Sequence, residues 1–312
     1  MRSVAPRAFP IEEFKVKINP NQKIGEGAYG VVYRGRLTRP AQGNEKKFSV
    51  PVAIKVFRSA DELDDDPLIF GWDEKQGLFT NKSWFLSPPR VTLDHYKKVL
   101  SVLTKLREEY RRKKSKLLVF PRQAILPGNP DHPQPLLRVP HLVSELFLKP
   151  GEKEYNVPFQ PYYPYDYEEY FKRTPSKEHD LAESFIRKDL LSRGLSLIQS
   201  RFGLKHFRAA TDVVLKLAER GIPAAPDLFG AIETKNGARI VIRDPDELAA
   251  GLYQIESGNE TPIIDVAQYT KHSCYLLPEK DRIKEIARLR LKIERSKKMP
   301  ENFRRIFLKY LK

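Results

Sequence analysis

A chain of 312 residues with 40% hydrophobic content is long enough for one two-part domain or two small ones, and apolar enough for a real core. Its formal charge of +16 points to an acidic partner such as nucleic acid, an anionic membrane or an acidic protein, although a solvated basic surface has the same composition. No apolar run reaches the roughly 18 residues of a membrane-spanning helix. Met1–Arg7 lacks the apolar core of a signal peptide, and a lone cysteine, Cys274, excludes an internal disulfide or a cysteine-rich metal site. A cytoplasmic location is the expectation, with export by a route that uses no cleaved signal left open.

Residues 1–24 read as a leader and a first strand. The next stretch, Ile24-Gly25-Glu26-Gly27-Ala28-Tyr29-Gly30-Val31-Val32-Tyr33, fits G-x-G-x-x-G-x-V, and Val52-Ala53-Ile54-Lys55 fits V-A-I-K. The loop runs into β-branched and aromatic residues, so it joins two strands. A dinucleotide-binding loop of the Rossmann type would run into a helix. Between the motifs, Thr38 to Lys47 is polar and turn-rich, an extended hairpin tip. Residues 58–92, with an acidic run at 61–66, show little periodicity and read as an insertion. Leu93, Tyr96, Val99, Leu100, Leu103, Leu106 and Tyr110 then recur at helical spacing. Leu117–Phe120 and His141–Phe147 read as strands. Residues 151–180 are rich in Tyr and Pro and read as a packed connector or, alternatively, a peptide-docking surface. Residues 181–220 hold two helices, the second running from Phe207 to Arg220 and capped by Gly221.

In this order the loop, the lysine and the 141–147 strand resemble a protein kinase. The resemblance implies an α+β, bilobal fold: a β-rich N-lobe over 25–150, with the insertion at about 58–92, and a shortened helical C-lobe over 151–312. It implies ATP and Mg2+ as cofactors. Gly25, Gly27 and Gly30 would fold over the phosphates, Val32 would close on the adenine, and Lys55 would grip the α- and β-phosphates. The backbone of Glu145 and Phe147 would meet the adenine edge, with Ser144 as a small gatekeeper. Glu108 or Glu109 would pair with Lys55.

The second half departs from the pattern, with no H-R-D, D-F-G or A-P-E. Two alignments stay open. In one, Asp227 is the base, a hairpin from Leu228 to Arg243 follows, and Asp244 ends it, with Ile232 where a metal-ligating asparagine belongs. In the other, Asp244 is the catalytic residue. Gly251–Glu256 and Thr261–Ile264 then form the hairpin, and Asp265 binds metal, resembling the metal segment of RIO-type atypical kinases. The second alignment is the one favoured, giving Lys55 and Asp244 as catalytic and Asp265 as the metal residue. The implied function is a divergent kinase acting on Ser or Thr of a protein. A nucleotide-binding pseudokinase scaffold, or a phosphotransferase for a small molecule or lipid, is the alternative. The helix from Asp281 to Ser296 reads as a final lobe helix packed by an apolar stripe of Ile283, Ile286, Leu289 and Ile293, or, with Lys284, Arg288, Arg290, Lys292 and Arg295 around it, as a contact for nucleic acid or an anionic membrane.

Overall fold

The computed structural model describes residues 15–27, 29–39, 48–63, 70–80, 90–146, 153–156, 204–224, 228–234, 237–242, 245–274, 277 and 279–312. They form mixed α and β structure, β-rich at the N-terminal end and with six α-helices among the described residues. By its contacts the chain divides into two units: Met1–Leu100 with Pro121–Phe147, and Ser101–Phe120 with Leu148–Lys312. A boundary near residue 150 is thus crossed by the segment 101–120, which belongs to the second unit. No described helix is long and apolar enough to cross a membrane.

Alternation of apolar residues builds the first unit. Strands β1 (Lys15–Gly27), β2 (Gly30–Arg39) and β3 (Phe48–Ser59) pair antiparallel in sequence order. Strand β9 (His141–Glu145) pairs antiparallel with β3, and β8 (Gln123–Leu126) with β9, giving the order β1-β2-β3-β9-β8. Val52, Ile54 and Val56, every second residue of β3, bury against Ile18, Leu37, Leu137 and Val143. The end of β3 turns aside: Arg58 and Ser59 pair in parallel with β4 (Gly71–Asp73), which leads to β5 (Leu78–Thr80) and β6 (Val91–Thr92).

Helix α1 (Leu93–Arg112) follows. Its predicted stripe is buried at Tyr96, Val99, Leu100, Leu103, Leu106 and Tyr110. Within the first unit Tyr96 meets Phe57 and Phe79, ring centroids 5.5 and 5.4 Å apart, and Trp72 meets Phe79 at 5.0 Å. These edge-on and tilted contacts suit the aromatic quadrupole. The stretch read as an insertion without pattern therefore contains three short strands carrying half of an aromatic core.

The second unit has a four-stranded sheet in the order β10 (Lys153–Asn156), β11 (Phe229–Thr234), β12 (Gly237–Ile242) and β7 (Leu118–Val119), the last pair parallel. Helix α2 (Leu204–Ala218) precedes the β11–β12 hairpin and ends at Gly221, whose φ of +71° is the left-handed conformation a glycine takes without strain. Helices α3 (Asp246–Glu256), α4 (Thr261–Cys274), α5 (Glu279–Arg295) and α6 (Glu301–Tyr310) complete it. Glu285 on α5 is fully buried and takes hydrogen bonds from Arg208 of α2 and from Arg288. Burial alone would raise its carboxyl, but the two guanidinium groups outweigh that and hold it below the ordinary value.

The hairpin assigned to Gly251–Glu256 and Thr261–Ile264 is absent, because both segments are helical. Gly258, at φ +89°, follows α3. The Asn259 side chain accepts from Thr261 N–H at 3.0 Å, an Asx turn that leads into α4. Ile263, Val266, Ala267, Thr270 and Cys274 are buried at helical spacing. Pro262 in the first turn suits a helix start, where its missing N–H costs nothing. The two isoleucines that suggested a strand are the first residues of a helical stripe. The other hairpin is present: β11 and β12 occupy the stretch between Asp227 and Asp244, with Thr234 opposite Gly237.

Asp227, Asp244, Phe147, the expected lobe junction at 150–151, the tip at 40–47 and most of the Tyr/Pro-rich connector lie outside the described residues.

Candidate functional site

Directly opposed residues of an antiparallel pair share a face of the sheet, so the strand registers locate the motif side chains. Gly25 opposes Val32, Val32 opposes Lys55, and Lys55 opposes Leu142. Ala53 opposes Ser144, which opposes Gln123. Gly25, Val32, Ala53, Lys55, Ser144 and Gln123 therefore occupy one face, and Ile54 with its apolar neighbours occupies the other. Val32, Ala53, Lys55, Ser144 and Gln123 are each half-buried, while Leu142 and Ile125 on the same face are buried. Past Lys55 the face is filled by Phe57, which opposes Gly30 and packs edge-on to Phe79 at 4.7 Å.

The glycines differ in what requires them. A Cβ on Gly30 would fall 2.1 Å from the carbonyl oxygen of Val56, so the close approach of β3 alone excludes a side chain there. A Cβ on Gly25 would meet nothing nearer than Val32, at 3.9 Å. A methyl group would fit there in ordinary contact with Val32. Gly27 pairs with Gly30 at the end of the ladder. Between Lys23 and Gly25 the register slips, and a bulge re-aims side chains. Ile24 sits there with its apolar side chain 49% exposed.

The turn between β1 and β2 is tied to β3. Tyr29 is buried, its ring stacked on Phe70 at 4.8 Å, and its carbonyl accepts from Arg58 N–H at 3.2 Å. The Lys55 ammonium lies 5.6 Å from the centre of the Tyr29 ring, a cation–π contact that offsets part of the cost of covering a charge. Glu26 binds Lys23 and Arg58, whose hydrogen bonds, that of Lys23 foremost, hold its carboxyl below the usual range.

No protein-family model matches this chain, and neither a curated protein nor a solved structure does.

What this face suits is a flat ring joined to a polyanion. Val32 and Ala53 offer small apolar surface, Lys55 a cation, and Gly25 a backbone with no side chain over it. Glu145 N–H donates to Arg122 O at 2.8 Å and is therefore occupied, while the Glu145 carboxylate accepts from Arg122 N–H at 3.2 Å. Buried His141, one residue before Leu142, has its Nδ1 3.2 Å from the carbonyl of Val139, and burial pushes its pKa below 6.5.

The acidic residues are placed differently from the sequence expectation. Asp265 lies in the second turn of α4 and is exposed as a residue. The covered part of its carboxyl raises its pKa. The rigid strand end that argued for a metal ligand is not there. Among the described residues, no three His, Cys, Asp or Glu side chains gather as a metal ion would require. Glu109 is in the second unit, bonded to Lys216 and, at 3.0 Å, to Lys113, and its carboxyl is lowered chiefly by Lys216. Glu108 lies 3.0 Å from Arg111.

Sequence reading passed over Ile24, Tyr29, Ala53 and Gln123. Period-two spacing from Lys55 selects Ala53, and adjacency to the first glycine selects Ile24. Nothing in the sequence marks Gln123, whose place depends on the β8–β9 register.

Proposed function

We propose that this chain is a divergent ATP-dependent phosphotransferase with a bilobal, protein-kinase-like architecture, acting on a protein hydroxyl. One observation carries the reading: Gly25, Val32, Lys55 and Ser144 share a face of the sheet ordered β1-β2-β3-β9-β8, with helix α1 between β3 and β8 in sequence. This combines the two motifs, their strands and the segment read as a hinge in one register.

The roles follow from charge and geometry. Lys55 holds the α- and β-phosphates, and the Gly25–Gly30 backbone covers them. Val32 and Ala53 bound the base. Mg2+, when bound, neutralises charge on the β- and γ-phosphates. The observed β11–β12 hairpin favours Asp227 as the residue that accepts the substrate hydroxyl proton and Asp244 as the metal residue. With its hairpin lost, the case for Asp265 goes too.

A nucleotide-binding scaffold without turnover is the second reading, and one residue favours it. Ile232, in the register of the usual metal-ligating asparagine, is completely buried in β11 and has no donor atom. Calorimetry with Mg-ATP, followed by assay of γ-phosphate transfer, separates the cases. Lys55→Ala is expected to weaken ATP binding by about 1.5–3 kcal/mol, the range of charge-assisted hydrogen bonds, or roughly 10- to 150-fold. Equal affinity in both proteins would refute the site. Binding without transfer would select the scaffold.

A further inference from the structure

Helix α5 has apolar residues on two opposite sides. Leu289, Ile293 and the paired Glu285 are buried on one. On the other, Ile283, Ala287 and Leu291 follow at i, i+4 and i+8, and Ile283 and Leu291 are 63% and 44% exposed. These two are among three exposed large hydrophobic residues of the described chain, and they lie about 12 Å apart along one helix face. Lys280, Lys284 and Arg295 are exposed beside them, and Lys297 and Lys298 just beyond. Two exposed carboxylates share this face: Glu279, one turn before Ile283, and Glu294, which lies 3.9 Å from Arg290. From Glu279 to Lys312 there are thirteen Lys and Arg against five Asp and Glu, half of the chain's formal excess of +16.

Each class of partner uses part of this face. Nucleic acid would use the cations and gain nothing from an isoleucine and a leucine held in water. An apolar protein groove would use Ile283 and Leu291 and leave the lysines unmatched. A bilayer surface with anionic lipid uses both. The apolar side chains enter the boundary between headgroups and acyl chains, and the cations lie within a Debye length of the negative surface. We infer that the outward face of α5 is a peripheral docking surface for anionic membranes, with Ile283 and Leu291 inserting and Lys280, Lys284 and Arg295 contacting the headgroups. This surface is independent of the nucleotide site.

The test is co-sedimentation of the full chain with vesicles of phosphatidylcholine, with and without phosphatidylserine, at about 0.15 M ionic strength. Binding is expected only when phosphatidylserine is present. Ile283→Ser/Leu291→Ser and Lys280→Glu/Lys284→Glu/Arg295→Glu should each weaken it at least tenfold, with unchanged circular dichroism because all five side chains are exposed. Three results would overturn the proposal: no binding to anionic vesicles, binding that the Ser variant leaves intact, or association with a DNA duplex in preference to the vesicles.

Discussion

The two faces of β3 make different use of alternate residues of one strand. Val52, Ile54 and Val56 are 3%, 0% and 6% exposed and close the core of the first unit. Ala53 and Lys55, one residue over, are half-buried on a face whose neighbours include Gly25, where a methyl group would fit. A sheet needs one face for stability, and that face can be filled with any well-packing apolar set. A lysine on the other face of a central strand costs desolvation, which its contact with the Tyr29 ring offsets only in part. Its presence is therefore the more informative of the two.

The comparison breaks most easily at Ile54. Ile54→Ala should cost about 2–5 kcal/mol of stability, the range for truncating a fully buried side chain, whereas Lys55→Ala, which loses the contact with the Tyr29 ring, should cost about 0.5–1 kcal/mol. Urea denaturation measures both, and a Lys55 variant as unstable as the Ile54 one would make Lys55 part of the scaffold.

The glycines sharpen the contrast. Gly30→Ala drives a methyl group into the Val56 carbonyl and should cost about 1–3 kcal/mol. Gly25→Ala has room and should be neutral, or stabilise by up to about 1 kcal/mol through the unfolded chain, yet weaken ATP binding by crowding the phosphates. Melting curves with and without ATP read both effects. A Gly25 variant that keeps wild-type affinity would remove Gly25 from the site.

A smaller effect concerns pH. His141 is buried and its folded pKa lies below 6.5, chiefly from desolvation. The unfolded chain takes up the proton first, so this residue's contribution to stability is present above pH 6.5 and lost as pH falls through the folded pKa. The slope in that window cannot exceed about 1.4 kcal/mol per pH unit for one proton. Glu26 and Glu109, both lowered from 4.5, titrate below it. Urea midpoints at a series of pH values should show the slope in wild type and not in His141→Asn.

How much of this was readable beforehand depended on whether a signal was local. The α1 stripe and the end of α2 at Gly221 follow from spacing and a glycine, both visible in a short window. The β11–β12 hairpin was readable as well, and choosing between two hairpins was the harder step. Thr261-Pro262-Ile263-Ile264 has strand-like residues and a helix-start proline in four positions, and buried neighbours as far as Cys274 decided for helix. Strands β4 to β6 are two or three residues long, too short to show a period. Strand β8 follows Pro121 and is set by pairing with β9, a tertiary contact. The requirement for Gly30 lies in the Val56 carbonyl, 26 residues away in sequence.

The central claim is that the face bearing Lys55 receives the phosphates of a nucleotide. An acyl-phosphate derivative of ATP transfers its acyl group to a lysine amine near the bound phosphates, and mass spectrometry of the digested chain identifies the lysine. The account predicts labelling of Lys55 that excess ATP suppresses, with Lys17 and Lys23 on neighbouring β1 reacting no differently when ATP is added. Labelling spread over the surface lysines, with Lys55 unmarked or insensitive to ATP, would contradict it.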